Sequence, residues 1–151
     1  MQWTRLQSGH MGYQPEPVLL RERVGMVLSL LQGNLITKKI HFECSLDPEM
    51  LVYADRTHLS LVMQNLVSNA IKFTQEKGKI SVYASQQDDM IIICVADNGV
   101  GIASQRLNDL FQIETSFSTV GTANEKGTGL GLILCHELVC ENGGQIWAES
   151  T

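Results

Sequence analysis

Three groups of residues in this 151-residue chain have the side chains and spacing to hold a phosphate ester. Asp97-Asn98-Gly99-Val100-Gly101-Ile102 ends a hydrophobic run on a carboxylate and a glycine turn. Gly127-Thr128-Gly129-Leu130-Gly131-Leu132 is a second glycine cluster, and a stretch with helical spacing follows it. Glycine permits positive φ or a close backbone approach that a Cβ would block. Backbone N–H groups at a helix start favour an anion such as phosphate. Upstream lies an Asn-rich stretch, Asn65-Leu66-Val67-Ser68-Asn69-Ala70-Ile71-Lys72-Phe73-Thr74. Together the three groups read as an ATP site. The second cluster is not a dinucleotide fingerprint, because its third spacing is wrong and no strand leads into it. It lacks the Gly-Lys-Ser/Thr of a Walker A loop.

At 100° per residue, Asn65, Asn69 and Lys72 fall within roughly 60° of one another, beside the apolar face of their helix. That places two carboxamides and an ammonium at the edge of the core, where a cleft can open. An Asn oxygen suits Mg²⁺, which usually keeps waters and phosphate oxygens as its other ligands. Lys72 can act as a point charge on phosphate, and Phe73 offers an aromatic face at the same helix end. A solvent-facing polar stripe is the other reading of this helix, and the glycine clusters weigh against it. His58, two turns before Asn65, reads as a solvated helix histidine. Asp97 shares a strand face with Ile91, Ile93 and Val95, so its carboxylate is expected to be largely buried. Burying it costs several kcal/mol unless it is hydrogen-bonded. An adenine amino group would satisfy it. An Asx-turn cap would also do so, and Gly99 and Gly101 favour the ligand.

The rest of the chain must position these groups. Hydrophobic residues make up 44% and charged residues 18%, which fits one compact domain rather than disorder. A net charge of −5 argues against general nucleic-acid binding. Met90 to Ala96, the longest strong apolar run, has strand length and is far short of a membrane span. Cys44, Cys94, Cys135 and Cys140 form no Cys-x-x-Cys pair and read as reduced thiols of a cytoplasmic domain, without a zinc site.

Gln14-Pro15-Glu16-Pro17 is expected as an extended connector. A helix follows from Val18 to about Thr37, then strands at Lys39–Leu46 and Leu51–Tyr53. Asp55 is expected to cap a long helix whose apolar stripe is Leu59, Val62, Met63, Leu66, Val67 and Ala70. Lys79–Ser85 and Met90–Asp97 read as an antiparallel pair. Ala103 to Lys126 is mixed and irregular, as functional segments often are. Leu130–Cys140 reads as a helix stopped by Asn142-Gly143-Gly144, and Gln145–Glu149 as a final strand.

On these motifs the chain resembles the catalytic, ATP-binding domain of sensor histidine kinases, of the Bergerat type shared with gyrase, Hsp90 and MutL. Asn65–Thr74 is similar to the family's N box, Asp97–Ile102 to its G1 box and Gly127–Leu132 to its G2 box. Leu110-Phe111 resembles the start of its F box. The resemblance implies an α+β fold: a two-layer sandwich of a mixed, mostly antiparallel sheet on about three helices, with a mobile ATP lid. It implies that Asn69 ligates Mg²⁺, that Lys72 approaches the phosphates and that Asp97 binds the adenine amino group. Phe73, Ile102, Leu110, Thr128 and Leu130 would line the nucleotide site. Gly99, Gly101, Gly127, Gly129 and Gly131 would let the backbone close over the ligand. Ser118, Thr119 and Lys126 would be lid contacts, and Asn65, Asn69 and Lys72 would serve the transfer.

By the same resemblance, residues 1–12 are expected as the C-terminal end of a dimerisation-domain helix, 13–17 as a linker, and 18–151 as the catalytic domain without its last strand. The chain departs from the family at Glu114, where a second Phe is common. None of His10, His41, His58 or His136 sits in a phosphoacceptor box. The expected reaction is therefore transfer of the ATP γ-phosphoryl to a histidine on a separate dimerisation domain, with a response regulator downstream. The fragment is expected to be a monomer and the parent a homodimer, of a family that is often membrane-attached, with this domain in the cytoplasm. Two rivals are a gyrase/Hsp90-type ATPase, which carries a Glu base where Asn65 stands, and an anti-sigma-type serine kinase. A third is a nucleotide-binding docking module without transfer.

Overall fold

The computed structural model describes residues 13–101 and 131–150. Expectations for the segments 1–12 and 102–130, including the irregular stretch after Ala103 and the lid, lie outside the described residues. In chain order the elements are β1 (Pro15–Leu19), α1 (Leu20–Thr37), β2 (His41–Ser45), β3 (Leu51–Asp55) and α2 (Arg56–Phe73). They continue with β4 (Lys79–Gln87), β5 (Met90–Asp97) and α3 (Gly131–Glu141). The fold is α+β, with three helices among the described residues on mixed, mostly antiparallel sheets.

β1 pairs antiparallel with β3, from Pro15↔Asp55 to Leu19↔Leu51. The expected connector at residues 14–17 is thus partly a strand. Its prolines enforce the extended backbone, but the partner lies more than thirty residues away and gives no local signal. β2 pairs parallel with β4, and β4 antiparallel with β5. Parallel neighbours need a crossover, which here is β3 and α2. β4 and β5 turn on Asp88 and Asp89, with Asp88 at φ 54° and Gln87 opposite Met90.

The long helix α2 is the centre of the domain. Leu59, Met63, Val67, Ala70 and Ile71 face one core with Leu20, Val24 and Val27 of α1 and Ile80 and Val82 of β4. Met63, Val67 and Ile80 are fully buried, and each contributes roughly 1.5–3 kcal/mol by leaving water. A neighbouring stripe packs on α3: Val62 meets Cys135 and Leu138, with Leu61, Leu66 and Ile146 around them. α3 stops as expected. Gly143 is left-handed (φ 79°), and Gly143 and Gly144 N–H groups return to Cys140 O and Val139 O, both at 2.9 Å.

Residues 145–149 form no strand. Ile146 packs into the α2–α3 cluster, and no described strand offers these residues a ladder. The four cysteines are all free. Cys44 and Cys140 are exposed, whereas burial pushes the Cys135 thiol up to about 12.

Candidate nucleotide-binding site

The site is built on α2. Asp55 caps this helix with an extended backbone (φ −69°, ψ 125°), and its carboxylate accepts the His58 N–H at 3.0 Å. Such a cap stabilises a helix by about 1 kcal/mol. The other Asp55 oxygen accepts the Gln14 N–H at 2.7 Å, tying the helix start to the residue just before β1.

The polar stripe expected from the sequence lies along this helix, and Asn65, Asn69 and Lys72 are all half-buried. Asn65 donates to Leu61 O at 2.9 Å, which fixes its amide. Its oxygen then faces the first residue of α3: a Cβ at Gly131 would stand 2.8 Å from it. Glycine is needed there because the two helices meet. The half-buried Asn69 amide makes no hydrogen bond among the described residues. The Lys72 ammonium lies 4.9 Å from the Phe73 ring centroid, in cation–π range.

The glycine turn after β5 is locked onto the end of α2. Val100 donates to Phe73 O at 3.1 Å. A Cβ on Gly99 would run into that same carbonyl, so only glycine lets the two backbones touch. Gly101 has φ 76°. Asn98 extends the β4–β5 ladder with its side chain, its oxygen accepting the Lys79 N–H at 2.8 Å. Lys72, Phe73, Asp97, Gly99 and Gly101 are therefore brought to one corner of the fold.

Asp97 corrects an expectation, since it is exposed rather than buried. It forms the last rung of the ladder, opposite Ile80, where the sheet face runs out beyond Val95. One of its oxygens accepts the Gly99 N–H at 2.8 Å, the Asx-turn arrangement. The other makes no hydrogen bond among the described residues, so the Asx turn is formed and one carboxylate oxygen is left over from it. Ile102, Leu110, Ser118, Thr119, Lys126, Gly127, Thr128, Gly129 and Leu130 lie outside the described residues.

His58 is also placed differently, buried rather than solvated. The Tyr13 ring stacks on it at 5.9 Å, and the Asn142 amide lies 3.1 Å from its Nδ1. Asn142 accepts the Asp55 N–H at 2.9 Å and donates to Leu138 O at 2.7 Å. That pattern makes the amide nitrogen the donor and His58 Nδ1 the acceptor. Residues just before β1 and just after α3 cover this turn of α2, which helix spacing could not reveal.

Residues 54–151 match the family model described as histidine kinase-, DNA gyrase B-, and HSP90-like ATPase. The chain belongs to this family. It is 42% identical over 101 residues to the phytochrome-like protein Cph1 of Synechocystis sp., covering 66% of this chain and 13% of that protein. It is 38% identical over 133 residues to the histidine protein kinase DivJ of Caulobacter vibrioides, covering 86% of this chain and 22% of that protein. The catalytic domain of histidine kinase ThkA, solved nucleotide-free, aligns with a TM-score of 0.77 at 30% identity, covering 89% and 86% of the two chains. ThkA solved with the response regulator TrrA aligns at 0.79 and 26% identity, over 99% of this chain and 42% of that one. The chain thus spans 13% and 22% of the two curated relatives and is homologous to histidine-kinase catalytic domains.

As a member of this family the chain is a nucleotide-binding ATPase domain, and α2 and the Asp97–Gly101 turn are the described walls of its candidate site. Sequence reasoning missed two residues that hold these walls, Asn142 and Lys38. Asn142 was legible only as part of the stop of α3; its contacts with Asp55 and His58, like those of the Lys38 ammonium, reach more than thirty residues away and leave no local signal.

Proposed function

We propose that this chain is the ATP-binding catalytic domain of a sensor histidine kinase in two-component signalling. It passes the γ-phosphoryl of ATP to a histidine on a dimerisation domain of its parent, from which a response regulator receives it. The observation that carries this reading is the bond from Val100 N–H to Phe73 O. It joins the helix bearing Asn69 and Lys72 to the turn bearing Asp97, which supports a site where groups for phosphate and for adenine face one ligand. The regulator complex of the structural neighbour ThkA supports the partner class.

The residues present fit Mg²⁺-ATP. Asn69 offers an unbonded amide oxygen of the kind Mg²⁺ takes alongside waters and phosphate oxygens. Lys72 supplies charge for phosphate, and the open Asp97 oxygen can accept from an adenine amino group. Bound ATP supplies the phosphoryl group, and such transfers depend on positioning and charge neutralisation. Lys72 and the Gly99–Gly101 backbone do that work on the described side. Asn65 is an amide fixed by Leu61 O, so it cannot take a proton from water as a hydrolase base would.

Titration calorimetry with ATP, with and without Mg²⁺, tests the site. Saturable Mg²⁺-dependent binding, lost in Asp97→Asn, is expected. Mixing the chain with a separately produced dimerisation domain should then yield acid-labile phosphohistidine. ATP binding without transfer would favour a docking module. Rapid basal hydrolysis by the wild type would favour the gyrase-like ATPase, and Asn65→Glu is expected to raise a slow basal rate.

A further inference from the structure

The C-terminal end of α2 carries the two side chains that the proposed site needs most, Lys72 and Phe73. A helix leaves its last carbonyls without intrahelical partners, so something else must fix this end. On one side it is Val100, through Phe73 O. On the other it is Lys38, a buried lysine 7% exposed. The Lys38 ammonium lies 2.7 Å from Ile71 O, 3.2 Å from Lys72 O and 2.8 Å from Thr74 O. A compact ammonium with three donors suits three converging carbonyls. A positive charge at a helix C-terminus also meets the negative end of the dipole.

Lys38 is itself rigidly placed. It follows α1 in a helical conformation, and Lys39 then turns left-handed at φ 55°. The Lys39 and Ile40 N–H groups return to Ile36 O and Leu35 O, both at 3.0 Å, closing α1. The Lys38 carbonyl accepts the Lys77 N–H at 2.9 Å, so one residue holds both the end of α2 and the loop into β4.

We propose that Lys38 is a positioning residue for the nucleotide site, acting through the end of α2 on Lys72, Phe73 and the Asp97–Gly101 turn. It does not touch the ligand. Without its ammonium, Lys72 O and Thr74 O lose this bond and Ile71 O keeps the longer one from Thr74 N–H at 3.4 Å, so the last turn of α2 shifts and Phe73 O no longer meets Val100 and Gly99 in register. The proposal rests on the nucleotide-site reading given above.

The test is ATP affinity of the 151-residue chain for wild type, Lys38→Met and Val27→Ala. Val27 is a core residue of α1, so its variant loses stability without touching the helix end. At a temperature where all three are folded by circular dichroism, Lys38→Met should bind ATP roughly ten- to a hundredfold more weakly, the scale on which misplaced positioning groups act. Val27→Ala should bind within about threefold of wild type, because the groups around the ligand keep their geometry. Lys38→Met binding like wild type overturns the role of Lys38 and leaves the site reading intact. A wild-type chain that does not bind ATP refutes the site reading instead. Should Lys38→Met fail to fold, amide exchange of the wild type decides. Saturating ATP should slow exchange at Val100 N–H and at Lys77 N–H together. Slowing at Val100 alone overturns the proposal.

Discussion

Gly99→Ala tests whether the turn after β5 and the end of α2 are truly in contact. The added methyl would meet the backbone carbonyl of Phe73 head-on and stand 2.8 Å from the Asp97 carboxylate oxygen. A flexible side chain could move aside, but a carbonyl already bonded to Val100 cannot do so without breaking that bond. The turn must therefore lift, losing the Val100–Phe73 bond and straining the Asp97–Gly99 bond. Overpacking typically costs about 1–3 kcal/mol, and a lost hydrogen bond adds roughly 0.5–1.5 kcal/mol. We expect about 2–3 kcal/mol of destabilisation, with ATP binding lost. Urea unfolding followed by circular dichroism gives the first quantity, and titration calorimetry the second. Gly25→Ala is the control. Gly25 lies within α1 with nothing within 4 Å of an added Cβ, so alanine should stabilise by roughly 0.5–1 kcal/mol. The reasoning fails if Gly99→Ala is within about 0.5 kcal/mol of wild type, the ordinary range for an unconstrained surface change.

Other outcomes follow from single residues. Lys39→Gly relieves a left-handed lysine at the end of α1 and should raise stability by about 0.5–1 kcal/mol in the same unfolding assay. Asn142→Ala removes the partners of His58 Nδ1 and Asp55 N–H and should cost about 2–3 kcal/mol. A thiol reagent at pH 8 should modify exposed Cys44 and Cys140 in the native chain, whereas Cys135 should react only on unfolding. Burial raises the Cys135 thiol from 9.0 to about 12, so the unfolded chain loses this proton first. Its stabilising effect is complete below pH 9 and declines as pH rises towards 12, at up to about 1.4 kcal/mol per pH unit. Cys135→Ala should flatten that decline in alkaline unfolding curves.

The sequence by itself determined what rests on short-range chemistry. Asp55 capped its helix, and the Asn65–Asn69–Lys72 stripe formed at the expected spacing. Lys79 to Asp97 folded back as a hairpin, and Gly143-Gly144 ended α3. Each depends on residues within about one helical turn or across one tight turn, where periodicity and turn preferences act. Gly99 and Gly131 were legible because a backbone that must approach another group cannot carry a Cβ, and this leaves a mark in residue type. Tertiary structure alone decided the rest. Pro15–Leu19 became a strand because β3 lies beside it, and Ile146 left the expected last strand for the α2–α3 cluster. His58 was buried by Tyr13 and Asn142, neither its neighbour along the helix. Asp97 came to the surface because the sheet face ends there. Lys38 found three carbonyls 33 to 36 residues away. A hydrogen bond or a buried contact depends on which distant group the fold brings within reach, and no local pattern of residue types encodes that distance.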